Sequence, residues 1–322
     1  MRLDRFAIYV WGVLAYNLAV IVWGAYVRST GSGAGCGSHW PLCNGEVIPT
    51  TPHIKTLIEF THRFTSGLAL LLVVGMLIWA FRIYQRKHPV RIGAVLSILF
   101  IFTEALIGAG LVIFELVAEN RSIARALSIS AHLINTFLLI AALTLTAWWA
   151  SGGQHWQLRA RKPAALTLGL SLLGILILGV SGAVAALGDT LFPASSLTQA
   201  LQQDLSPTAH FLIRLRLLHP IIAIISITFS ICTLFFVQLR YSTVWTTRFA
   251  YAFLSLSLFQ LGVGALNVYW LAPIWLQLVH LLIADICWIL LVLLTAAALA
   301  NPATQETNLA RASHSSAVLP AH

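Results

Sequence analysis

The chain has 322 residues, of which 59% are hydrophobic and only 9% charged, with a mean hydropathy of +0.86. A soluble globular domain of this length does not carry that composition, so the sequence describes a polytopic membrane protein that lives among lipid. The formal charge of +9 points to basic membrane-flanking loops rather than to nucleic acid.

Eight apolar runs long enough to span a bilayer are expected, at about 6–28, 60–81, 91–115, 128–150, 164–187, 213–238, 247–271 and 273–299. The first follows Met1-Arg-Leu-Asp-Arg, which looks like the start of a signal segment. Its apolar run is long enough to span and no small-residue cleavage site follows, so a retained helix is expected. Basic residues then set the orientation. Arg2, Arg5, Arg82, Arg86, Lys87, Arg91, Arg159, Arg161, Lys162, Arg240, Arg248 and Arg311 fall on one side, read as cytoplasmic along with both termini. The long loops 29–58 and 188–212 then face outward. The stretch 301–322, rich in Ala, Ser, Thr and Pro without periodicity, reads as a disordered cytoplasmic tail.

The expected fold is all-α and integral to the membrane, with eight transmembrane helices as two similar four-helix bundles, residues 1–155 and 156–300. The end of span one, Trp23-Gly-Ala-Tyr-Val-Arg, resembles Ser181-Gly-Ala-Val at the end of span five, and Gly108-Ala-Gly110 matches Gly262-Val-Gly264. Small-residue patterns also arise from helix packing alone. The histidines strengthen the case for duplication: His62, His132, His219 and His280 open spans two, four, six and eight.

Intramembrane ionisable groups are costly and mark function. Four histidines at one depth near the outer face form two pairs, and paired imidazoles on facing helices are a way to hold haem iron. A histidine bonded to a polar neighbour in the interior is the plain alternative for any one of them. Arg63, Arg125, Arg214 and Arg216 stand near these histidines. Each is either a partner for a haem propionate or an arginine snorkelling to the interface. Glu59 lies one turn before His62 and four residues before Arg63, placing it as a proton-handling carboxylate or as a simple ion-pair partner. Glu104 and Asp285 lie deeper; each is a candidate by location or a partner of a polar neighbour such as Asn135 or Gln260.

Of four cysteines, Cys232 and Cys287 fall in apolar helices and read as packing residues. Cys36 and Cys43 share the first outward loop, where an oxidising compartment favours a disulfide, structural or redox-active, over two free thiols.

Together Tyr26-Val-Arg-Ser-Thr-Gly-Ser-Gly, Cys36…Trp40-Pro-Leu-Cys43, Glu59-Phe-Thr-His62-Arg63, His132-Leu-Ile-Asn135, His219-Pro and His280 resemble the haem A synthase family over residues 10–295. The one departure is Gly37-Ser-His39, where the family pattern has Pro-Asp before Trp-Pro. The resemblance implies an enzyme of the cell membrane that oxidises a porphyrin methyl group of haem O to a formyl group, giving haem A for terminal oxidase assembly. It implies His219 and His280 as iron ligands of a resident haem b. It places His62 and His132 about the substrate haem, with Glu59 as the catalytic carboxylate. The implied partners are a haem O–forming farnesyltransferase and an unidentified electron donor. A di-haem b-type electron carrier is the alternative; a duplicated transporter is a third.

Overall fold

The computed structural model describes residues 3–154, 156 and 161–300. It is helical throughout, with no β-strand among the described residues. The helices are α1 (Arg5–Ser29), α2 (Ile54–Ile83), α3 (Pro89–Ile113), α4 (Ile123–Ala150), α5 (Lys162–Leu191), α6 (Leu197–Leu205), α7 (Phe211–Tyr241), α8 (Val244–Tyr269) and α9 (Ile274–Leu299). All but α6 are long and apolar enough to cross a membrane. The expected tail at 301–322 lies outside the described residues, as do Arg2, Arg159 and Arg311.

Helix starts follow the capping chemistry in the sequence. Asp4 caps α1 by accepting from Ala7 N–H, and Ser122 caps α4 through Arg125 N–H. Thr243 and Thr246 make a reciprocal capping box at α8, and Pro89 occupies the first turn of α3, where no intrahelical donor is needed. The short α6 lies between α5 and α7, in the stretch 188–212 where only loop was expected. Ser196 accepts from Gln199 N–H at its start, and Leu197, Leu201 and Leu205 recur at helical spacing.

The packing closes two rings. In the N-terminal half α1 packs on α2, α2 on α3, α3 on α4 and α4 back on α1. In the C-terminal half the order repeats, with α5 on α7, α7 on α8, α8 on α9 and α9 on α5. The rings meet along α4 with α5 and α9, and α1 with α9. Helix α9 is the seam: 72% of its most apolar window is buried, against 17% for α3, which faces lipid. Lipid tails are as apolar as leucine, so this seam is held by close packing and hydrogen bonds rather than by water exclusion.

Several helices exceed their expected limits, two of them for visible reasons. Helix α2 starts at Ile54 rather than near 60 because its first turn is covered by the loop before it: Thr56 is buried and its hydroxyl donates to the Gly35 carbonyl at 2.8 Å. Helix α5 runs to Leu191 rather than 187. Its last turn receives Arg28 from α1, whose Nη1 donates to Ala186 O at 2.8 Å and Thr190 Oγ1 at 3.1 Å. Arg28 thus ties one half to the other. The sequence reading passed over it, although an arginine ending an apolar span was a signal.

Candidate functional site

Each of the four histidines lies about two turns inside its helix: His62 in α2, His132 in α4, His219 in α7 and His280 in α9. Each is half-buried, and each ring lies against a glycine of the preceding membrane-spanning helix. A Cβ built on Gly24 would sit 2.9 Å from Cε1 of His62, and one on Gly182 would sit 3.0 Å from Cε1 of His219. On Gly264 it would stand 3.2 Å from Cε1 of His280, and on Gly108 3.5 Å from Nε2 of His132. The glycines let an imidazole approach a neighbouring backbone, a fit any larger residue would contest. Gly24 and Gly182 are the pair matched in the sequence. In the other pair the facing glycines are Gly108 and Gly264, two residues out of the expected Gly108–Gly262 register.

His219 and His280 face each other with ring centroids 6.4 Å apart and planes at 79°. A metal ion bonded at about 2 Å to one nitrogen of each ring, from opposite sides, spaces the centroids by about 6 Å. The pair therefore fits one axially ligated ion, and the half-exposed rings leave room around it. Nδ1 of His219 is 2.9 Å from the Ser181 hydroxyl, whereas Nδ1 of His280 is buried with no partner. His62 and His132 lie within electrostatic reach of each other. Here too one ring is held and the other is not: Nδ1 of His132 is 2.8 Å from Glu104, while Nδ1 of His62 has no partner.

Cys36 and Cys43 form a disulfide, closing the loop over the start of α2. Gly37, at φ +64°, takes a left-handed conformation that favours glycine. Glu59 is 3% exposed and joins that loop to its helix. It accepts the Cys36 N–H at 2.8 Å and two guanidinium donors of Arg63, at 3.1 Å from Nε and 2.5 Å from Nη2. Arg63 spends Nη1 on the carbonyls of His39 and Leu42, at 2.6 and 2.7 Å. The Glu59–Arg63 pair is thus a buried clamp on the disulfide loop rather than a surface ion pair. The free cysteines, Cys232 and Cys287, lie away from this loop, on α7 and α9.

The other arginines are also engaged. Arg125 donates to the carbonyls of Ala118 and Asn120, Arg214 to that of Pro207, and Arg216 pairs with Asp189 and Asp204. A propionate at Arg216 would compete with those two carboxylates. Glu104 does bond Asn135, as one reading held, and also Thr136. Asp285 does not meet Gln260, which donates to the His280 carbonyl. Asp285 is fully buried with neither carboxyl oxygen partnered.

Residues 7–292 match the family model COX15-CtaA, described as cytochrome oxidase assembly protein. The chain is 50% identical over 296 residues to a protein of Thermus thermophilus named protoheme IX farnesyltransferase, covering 92% of this chain and 49% of that protein. It is 34% identical over 173 residues to the heme A synthase of an Exiguobacterium species, covering 54% of this chain and 55% of that protein. It is 43% identical over 124 residues to the heme A synthase of Halalkalibacterium halodurans, covering 38% and 41%. The chain spans about half the length of the curated relatives it matches. The resemblance read from the Cys loop, Glu59-x-x-His62-Arg63 and the later histidines holds, and the chain belongs to the COX15-CtaA family of cytochrome oxidase assembly proteins.

Proposed function

We propose that this chain is a haem A synthase, oxidising a methyl group of haem O to a formyl group for a terminal oxidase of the cell membrane. The observation that carries the reading is the inequality of two otherwise matched sites. Both histidine pairs rest in glycine notches, but among the described residues a carboxylate meets an imidazole only in the first pair, Glu104 on His132, and Glu59 stands one turn before His62. The corresponding places in the second half hold Arg216, three residues before His219, and Gln260, four before Gly264.

In this reading His219 and His280 hold a haem b, which supplies one-electron transfer when bound. Held by both imidazoles, it would serve to pass electrons. His62 and His132 hold haem O as substrate. Two successive hydroxylations of the methyl carbon, each consuming an external oxygen donor together with the electrons and protons it requires, would give the hydrated aldehyde, which loses water to the formyl. Glu59 takes and returns protons in those steps, held beside the substrate by the Cys36 amide and Arg63. The disulfide loop excludes water from that side of α2. Arg125 and Arg214, which bond only backbone carbonyls, remain as propionate partners, whereas Arg63 and Arg216 already hold carboxylates.

The two rings of helices, their repeated order and their matched notches support two domains, 1–155 and 156–300, descended from one duplicated unit. The basic loops support cytoplasmic termini and an outward disulfide loop. The Thermus relative supports a partnership with the enzyme that makes haem O. There, a region like this chain occupies half of one polypeptide named for protoheme farnesyl transfer. Farnesyl transfer itself is the weaker reading for this chain. Diphosphate chemistry draws on Mg²⁺ held by clustered oxygen ligands, and the described residues hold no cluster of three metal-ligating side chains.

The test is pigment analysis of cells that make haem O and express this chain. Glu59→Ala leaves haem bound and abolishes haem A; His219→Ala and His280→Ala each remove the resident haem b. Undiminished haem A with Glu59→Ala excludes Glu59 from the mechanism. No haem A with the unaltered chain, and haem in both sites, favours the di-haem electron carrier.

A further inference from the structure

Glu104, in the middle of α3, is the centre of the most connected polar cluster within the membrane-spanning part of the N-terminal bundle. One carboxylate oxygen lies 2.8 Å from Nδ1 of His132. The same group accepts from Thr136 Oγ1 and from Asn135 Nδ2, both at 2.5 Å. Asn135 is itself fixed: its amide donates to the Phe100 carbonyl at 2.8 Å, and its oxygen accepts from Thr103 at 2.6 Å. Side chains of α4 thus hold the α3 carboxylate that meets one imidazole.

Across the site, His62 has nothing comparable. Its Nδ1 is buried without a partner, and the ring lies against Gly24. In the C-terminal bundle, Gln260 takes the place of Glu104. It stands four residues before Gly264, as Glu104 stands four before Gly108. Gln260 bonds the backbone of His280 and not its ring.

We propose that Glu104 is a positioning residue that makes His132 the anchoring ligand of the substrate iron and leaves His62 the releasable one. A carboxylate accepting Nδ1–H fixes the tautomer and ring orientation and strengthens Nε2 as a donor. An imidazole without that partner binds more weakly and turns more easily. Release of His62 then opens the iron on the side where Glu59 stands one turn away, so that the position freed and the proton-handling acid coincide. In the C-terminal site neither imidazole meets a carboxylate among the described residues: Nδ1 of His219 is 2.9 Å from the Ser181 hydroxyl and that of His280 has no partner.

The proposal rests on the N-terminal bundle being the haem O site, and its test separates the two. Purified protein with the His219–His280 site already loaded is titrated with haem O, and affinity, midpoint potential and carbon monoxide binding are read. His62→Ala keeps affinity within roughly threefold and binds carbon monoxide more readily than the unaltered protein. His132→Ala loses roughly 10–100-fold in affinity. Glu104→Gln weakens binding about tenfold and raises the midpoint potential, and Glu104→Asp recovers part of both. A merely structural Glu104 would lower stability without moving the potential. Equal losses in His62→Ala and His132→Ala overturn the proposal, as does a Glu104→Gln protein with unchanged affinity and potential. Unaltered protein that takes up no haem O overturns the site reading itself.

Discussion

The indole N–H of Trp288 in α9 donates to the carbonyl of Phe137 in α4 at 2.8 Å, while the two rings stack with centroids 4.9 Å apart. Both residues are buried, and they join the helices that carry His280 and His132. The two bundles are therefore latched one to two turns beyond their histidines, with Arg28 latching them again at the ends of α1 and α5.

Trp288→Ala removes the latch and leaves a cavity, with an expected cost of about 3–5 kcal/mol. Trp288→Phe keeps most of the stacking and loses the N–H donor, an expected cost of about 1 kcal/mol. Thermal unfolding of the purified protein checks the order. Equal melting temperatures for the two variants would show that the hydrogen bond, not the packing, carries the contact.

Gly264 and Gly262 form an internal control two residues apart. A Cβ at Gly264 meets the His280 ring at 3.2 Å, whereas one at Gly262 meets nothing within 4 Å. Gly264→Ala is expected to weaken or shift the spectrum of the group held by His219 and His280, and Gly262→Ala to leave it unchanged. Gly182→Ala, at 3.0 Å from His219, behaves like Gly264→Ala. Identical spectra for all three would mean the rings do not depend on their glycine notches.

Arg63 spans from Glu59 to two carbonyls of the disulfide loop. Arg63→Gln keeps one polar end but loses the fork, so the loop is expected to loosen while the disulfide stays closed. Limited proteolysis between residues 36 and 46 reads this directly, with faster cleavage expected in Arg63→Gln. The Cys36→Ser/Cys43→Ser double variant is cleaved faster still. Protection equal to the unaltered protein in Arg63→Gln would assign the loop's order to the disulfide alone.

Asp285 is fully buried, and neither oxygen has a partner. An unpaired polar group in such a place costs about 1–3 kcal/mol, so Asp285→Leu is expected to raise the melting temperature. A fall instead would reveal a partner for this carboxyl in the loaded protein.

Much of this was legible in the sequence because membrane spanning is a matter of run length. The eight spans stand close to their expected places, and the Cys36–Cys43 disulfide was readable from two cysteines in a short outward loop. The four histidines were legible as costly groups, but their glycine partners were not, since helix-to-helix register is set by packing that no local pattern records. The two-residue slip from Gly262 to Gly264 shows the limit. Glu104 had the right partner in Asn135, yet its contact with His132 depends on how α3 leans on α4. Helix α6 was missed despite Ser196 and its leucine spacing, because its few polar-rich turns gave no spanning signal.

The half-exposed imidazoles have a consequence for the fate of the newly made chain. A group bound only by the folded bundle stabilises it by about 2.7 kcal/mol when its free concentration is a hundred times Kd. Under the proposed function haem is that group, so the abundance of this chain is expected to follow haem supply.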